Sequence, residues 1–149
     1  MNKLFIYIET QNEIIDWLDS MGVENYTINN DLTVDVNGEV ILSNKNLLEI
    51  TVQFGVVMGN FSVSNNKKLK SLVGAPKKCE YFYCNGCTSL TSLNGVPEKC
   101  KRFYCHVCTS LKSLIGAPEK CQSFYCYNCG GKFTKKDVLK VCDAKEIWF

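Results

Sequence analysis

The nonapeptide CKRFYCHVC, residues 100–108, is one of three near copies: CEYFYCNGC starts at Cys79, CKRFYCHVC at Cys100 and CQSFYCYNC at Cys121, each 21 residues after the last. A fixed period this short marks a repeat architecture, in which a unit buries its apolar side only by stacking on its neighbours. Ahead of the three copies stand KKLKSLVGAPKK, TSLTSLNGVPEK and TSLKSLIGAPEK. The unit is therefore Pro-x-x-Cys-x-x-Phe-x-Cys-x-x-Cys-x-x-Leu-x-x-Leu-x-Gly. Cys142 continues the step. In the other direction Phe61-Ser62-Val63-Ser64-Asn65-Asn66 fills the same frame and Val40-Ile41-Leu42-Ser43-Asn44 fills it more loosely. Two degenerate units thus precede three clear ones.

This frame resembles that of the leucine-rich repeat family, Leu-x-x-Leu-x-Leu-x-x-Asn/Cys, which maps onto Cys79-x-x-Phe82-x-Cys84-x-x-Cys87 and its copies. Pro76, Pro97 and Pro118, three residues ahead of each copy, look like the short bacterial variety. Cysteine and phenylalanine stand where leucine is usual, and two residues rather than one separate the Asn/Cys position from the next leucine, as the cysteine-containing subtype tolerates. With the lead-in ENYTINNDLTVDVNGEVILSNKNL and the closing GGKFTKKDVLKV, the chain from about residue 24 to 142 is similar to small repeat proteins of tailed bacteriophages. The resemblance implies an α+β solenoid, a leucine-rich-repeat-like parallel β coil of 21-residue repeats with N- and C-terminal helical caps. It implies no activity.

In such a coil the Phe-x-Cys segment is a short strand, and alternation sends Phe82, Phe103 and Phe124 inward with Cys84, Cys105 and Cys126. Their neighbours then face outward on the concave sheet as columns: Tyr83, Tyr104 and Tyr125 in the middle, Tyr81, Arg102 and Ser123 on one side, Asn85, His106 and Tyr127 on the other. Tyrosine and arginine anchor protein interfaces because they present large rigid area with a polar tip. Tyr81, Tyr83, Asn85, Arg102, Tyr104, His106, Tyr125 and Tyr127 are the expected partner-binding residues. Tyrosine is also at home on any exposed strand, where it stacks on its cross-strand neighbour. The Gly-Ala/Val-Pro stretches are too short and rigid for helix and are expected to run extended on the convex side.

Cys84-x-x-Cys87 followed by Cys105-x-x-Cys108 has the ligand spacing of a zinc ribbon. The period argues against that use. Stacked coils repeat a position about every 4.8 Å, so cysteines form ladders by construction, and three Cys-x-x-Cys pairs do not divide into four-ligand sites. The preceding unit fills the same two slots with Val63 and Asn66, a hydrophobe and an amide, as a packing slot and a loop-capping slot require. Buried thiols, which behave as small hydrophobes, are therefore expected ahead of metal or disulfides. His106, the single histidine, projects opposite to Cys105 and is badly aimed to join it.

The flanks read as lids for the open ends of the stack. Thr10-Gln11-Asn12-Glu13 is a capping box, and Ile14, Ile15, Trp17, Leu18 and Met21 give an amphipathic helix ended by Gly22. Asn37-Gly38 predicts a hairpin feeding the first coil. Thr134-Lys135-Lys136-Asp137 starts a second helix carrying Val138, Val141 and Cys142, and Trp148-Phe149 are expected to fold back over the last coil. The divisions are 1–39 for an N-terminal cap of strand, helix and hairpin, 40–133 for the solenoid, and 134–149 for the C-terminal cap.

The chain of 149 residues fits one domain that needs no staple. A net charge of +2 with both signs interspersed gives no strong field for nucleic acid or an anionic membrane. The start has no signal-like apolar run, so a cytoplasmic protein is expected, in the host cell cytoplasm if the gene is a phage's. One histidine, no nucleotide loop and no acid–base pair argue against an enzyme. The expectation is a non-catalytic module without cofactor or metal that binds a host or phage protein, with counter-defence one role the resemblance allows. A metal-binding or thiol-redox protein using the Cys-x-x-Cys series is the alternative.

Overall fold

The computed structural model describes residues 10–149, so the N-terminal strand expected before Thr10 lies outside the described residues. The chain is a mostly parallel β solenoid of about five turns. In order come α1 (Gln11–Met21), β1 (Tyr26–Ile28), β2 (Val34–Val36), β3 (Val40–Ile41), β4 (Phe54–Val57), β5 (Phe61–Ser62), β6 (Tyr81–Tyr83), β7 (Lys99–Tyr104), β8 (Lys120–Tyr125), α2 (Lys135–Leu139) and β9 (Asp143–Trp148). They form a three-stranded sheet, β1-β2-β4, and a six-stranded parallel sheet, β3-β5-β6-β7-β8-β9.

Strand register follows the sequence period. Val40 pairs with Phe61, Phe61 with Phe82, Phe82 with Phe103 and Phe103 with Phe124, a step of 21 each time. The phenylalanine rings form a buried column with centroids 5.5, 5.6 and 5.1 Å apart, and Phe54 of the three-stranded sheet meets Phe61 at one end of it edge-on at 5.3 Å. Beside that column lie Leu69, Leu72, Leu90, Leu93, Leu111 and Leu114 from the Leu-x-x-Leu segments, all buried. Two apolar rows per coil, one from strand alternation and one from the following turns, give every coil the same filling. Stacking such coils buries each filling on both faces.

Each coil must turn after its strand, and the residue there sits in the left-handed region: Asn44, Asn65, Gly86, Val107 and Asn128 have φ between 55° and 71°. Asparagine and glycine suit that conformation, whereas the β-branched Val107 at 58° is strained there. A second turn closes each leucine segment, where the Ala75, Val96 and Ala117 amides donate to Leu72, Leu93 and Leu114. The expected extended Gly-Ala/Val-Pro run is thus bent at its start. Its glycine is obligatory: Gly95 has φ 106°, and a Cβ there would stand 2.4 Å from the Leu72 carbonyl of the preceding coil.

α1 forms as its capping box requires, with the Thr10 side chain accepting from the Glu13 amide and Gly22 ending it at φ 72°. It buries Ile14 and Leu18, while Trp17 packs against Phe54 at 6.3 Å. α2 is shorter than its apolar spacing implied. It contains Val138, and Val141 and Cys142 follow it. Among the described residues no helix is long and apolar enough to cross a membrane.

Two expectations fail for the same reason. Asn37-Gly38 makes no hairpin, because β2 pairs antiparallel with β1 and parallel with β4, while β3 joins the other sheet beside β5. A chain entering a parallel coil must pass on around it instead of reversing. The reversal lies one step earlier, where the Leu32 amide donates to Asn29 and Asn29 to Thr33. Nor do Trp148 and Phe149 fold back over the last coil. Residues 143–148 are β9, a sixth parallel strand in which Phe124 pairs with Ile147 and Tyr125 with Trp148. That step is 23 residues, so the period breaks although Cys142 keeps it.

Candidate partner-binding surface

Parallel pairing brings the outward residues of successive strands into contact in three columns. Tyr83, Tyr104, Tyr125 and Trp148 are in register and lie ring on ring, with centroids 4.5, 4.3 and 6.0 Å apart and planes within 10°. Burial, then the adjoining Tyr104, raises the hydroxyl pKa of both Tyr83 and Tyr125 above its ordinary value. These hydroxyls therefore stay protonated donors at neutral pH. The rings spend their faces on each other, so what the ladder offers a partner is a row of edges and hydroxyls, ending in Trp148 and Phe149, which are 53% and 52% exposed.

In the second column the Arg102 guanidinium lies over the Tyr81 ring at 5.2 Å. The same guanidinium also interacts with the Tyr104 hydroxyl and so ties this column to the middle one. Ser123, expected to face solvent here, is buried, because β9 brings Glu146 alongside and Ser123 donates to its carboxylate at 2.8 Å. In the third column His106 stacks on Tyr127 at 4.3 Å and 13°. Burial lowers the His106 pKa, keeping the ring neutral. Asn85 accepts from Ser64 at 2.8 Å, and Ser64, Ser62 and Ser43 continue as a chain of hydroxyl contacts across β5 and β3. The face is thus aromatic over β6 to β9 and hydroxylic over β3 and β5. All eight expected residues fall on the aromatic part. Sequence reasoning missed Trp148, although Ile147-Trp148 repeats the apolar-aromatic pair of Phe82-Tyr83 and could have marked the strand.

The Cys-x-x-Cys series takes two structural positions. Cys84, Cys105 and Cys126 point inward and are at most 2% exposed, and burial raises their thiol pKa values, that of Cys126 to about 12. Cys87, Cys108 and Cys129 sit in the turns and donate to the carbonyls of Val63, Cys84 and Cys105 in the preceding coil, at 3.2, 3.1 and 3.0 Å. Asn66 holds the equivalent slot one coil earlier, donating to Leu42 and Val63 and accepting from the amides of Lys45 and Leu47. The first cysteines of the units line another wall, where Cys121 and Cys142 approach to 3.5 Å between sulfurs. Among the described residues no group of three or more His, Cys, Asp or Glu is placed to hold a metal ion.

No protein-family model matches the chain, and no curated protein or solved structure matches it either.

Proposed function

We propose that the protein is a non-catalytic binding module of leucine-rich-repeat type, with α1 and α2 as lids on the stack, that holds a partner protein on a concave tyrosine face. In this reading the gene is a phage's, the module works in the host cell cytoplasm, and its partner is a host or phage protein, a host defence component among the candidates. The observation that carries the reading is the continuous ladder Tyr83–Tyr104–Tyr125–Trp148 with Arg102 beside it. Stacking fixes the rings before any partner arrives, so little side-chain entropy remains to be lost on binding.

Affinity capture from infected-cell lysate, followed by titration of the captured protein, tests it. Tyr104 has a ring on each face, so Tyr104→Ala should cost about 1–2 kcal/mol of stability and leave the fold intact. It should weaken partner binding more than tenfold, about 1.4 kcal/mol or more. A triple change at Tyr83, Tyr104 and Tyr125 that leaves binding unaltered sinks the reading.

The thiol-redox alternative keeps one favourable observation, the 3.5 Å approach of Cys121 and Cys142. Glutathione disulfide at a cytoplasmic ratio to glutathione should join this pair before any other if that reading holds, and peptide mapping would show it.

A further inference from the structure

The wall of the solenoid that carries the first cysteine of each unit has its own cavity, a groove of about 720 Å³ sharing no residue with the tyrosine columns. Six lysines and two glutamates line it, an excess of four positive charges in a chain whose net charge is +2. The repeat concentrates them. Lys78, Lys99 and Lys120 hold the same position in three successive units, and Lys99 and Lys120 pair directly across β7 and β8. Like charges directly opposite each other on a sheet destabilise it.

The compensation is partial. Glu80 pairs with Lys101, and Asp143 reaches Lys120 at 4.0 Å, but among the described residues neither Lys78 nor Lys99 has a carboxylate within ion-pair distance. Between the lysines the floor is not polar. It is formed by the thiols of Cys79, Cys100 and Cys121, with Val57 and the 65% exposed Met58 at one end. Cys100 is the least buried of the ten thiols and opens onto this floor. Burial raises its pKa, so the thiol stays neutral and the groove keeps its positive sign. The size lies within the usual range for small-molecule pockets, which join a mostly apolar lining to a few convergent polar groups.

We infer that this groove binds an amphipathic organic anion, an apolar chain or ring ending in a phosphate or carboxylate, with the apolar part on the thiol floor and the anionic end between Lys99 and Lys120. Such a ligand relieves the repulsion within the lysine column and covers the sulfur and methionine surface together. A simple inorganic anion does only the first, and a neutral amphiphile only the second. The inference stands apart from the tyrosine-face reading, and either can fail alone.

Decyl phosphate, held below its micelle concentration, is the probe, titrated into the ¹⁵N-labelled full chain beside inorganic phosphate and decyl glucoside. The expected result is a dissociation constant at least tenfold lower for decyl phosphate than for the other two. Amide shifts should be confined to the groove lining, residues 57–58, 77–80, 98–101, 120–122 and 145. The double variant Lys99→Gln, Lys120→Gln should lose at least tenfold in affinity while melting close to the parent, since it removes the lysine–lysine repulsion together with only the weak, exposed Lys120–Asp143 pair. Equal affinity for inorganic phosphate or for decyl glucoside overturns the proposal, as do shifts centred outside the groove or an unaltered affinity in the double variant.

Discussion

The coil containing Phe61 and the coil containing Phe103 share one backbone path and fill it with different chemistry. In the earlier coil an amide, Asn66, ties the turn through four hydrogen bonds, asparagine takes the left-handed position at Asn65, and serine faces outward. In the later one a thiol, Cys108, ties it through one, a valine is forced into the left-handed position, and tyrosine faces outward. Within the strand and its turn only the inward phenylalanine is common, while the buried leucines that follow, Leu69 and Leu72 in one coil and Leu111 and Leu114 in the other, are shared. The comparison teaches that the slot is set by the coil and the occupant by what each coil must do. The apolar column is indispensable, the turn has more than one solution, and the outward face is free to specialise.

That account can be broken at its strongest point first. Phe61→Ala and Phe103→Ala should each destabilise by about 3–5 kcal/mol, since each ring is fully buried between two others. Urea denaturation measures both, and a loss under about 1 kcal/mol at Phe61 would show that the earlier coils do not share the core. Next come the turns. Asn66→Ala strands two amides and two carbonyls and should cost about 2–4 kcal/mol, against about 1 kcal/mol for Cys108→Ala, which removes one weak donor. Equal losses in the same assay would mean that the thiol ladder holds the turns as firmly as the amide does.

The left-handed position gives a smaller effect of opposite sign in the two coils. Val107→Asn should stabilise by about 1 kcal/mol and Asn65→Val should destabilise by a similar amount. Thermal melts of the two variants decide it, and a destabilised Val107→Asn would show that the valine side chain contributes packing that outweighs its strain. The smallest effect is on pH dependence. The folded state holds the His106 pKa below its ordinary value of about 6.5, so the unfolded chain takes up a proton more readily. Stability attributable to this group is present above about pH 6.5 and declines as pH falls below it. Melts from pH 7.5 to 5.5 should show a decline that His106→Gln reduces, and an identical decline in the variant would assign it to other groups.

Much of this was legible in the sequence because period 21 and period 2 act together. The first fixes which residues stack, the second which side they face, and Phe82, Tyr83 and Cys84 follow without reference to any other part of the chain. The slot comparison of Asn66 with Cys87 was legible for the same reason. The last coil was not, because Cys142 keeps the 21-residue step while two extra residues between β8 and β9 shift the register to 23. A cysteine in step concealed a strand out of step, and with it Trp148 and the burial of Ser123. The hairpin was misplaced because Asn37-Gly38 has the turn chemistry without a partner strand for β2 to reverse onto. The lysine groove was overlooked although Lys78, Lys99 and Lys120 recur at the 21-residue step, because the charges of both signs around them cancel along the chain and conceal the column.

The equal registers of β6 with β7 and β7 with β8 have a consequence at the level of the gene. Coils that meet their neighbours through the same pairs are interchangeable at their boundaries. An in-frame duplication or loss of 21 codons between Cys79 and Lys120 therefore adds or removes a complete coil, with its phenylalanine, its turn thiol, its outward tyrosine and its lysine. The aromatic face and the cationic groove would lengthen or shorten together in whole-coil increments, with the phenylalanine and tyrosine columns keeping their register.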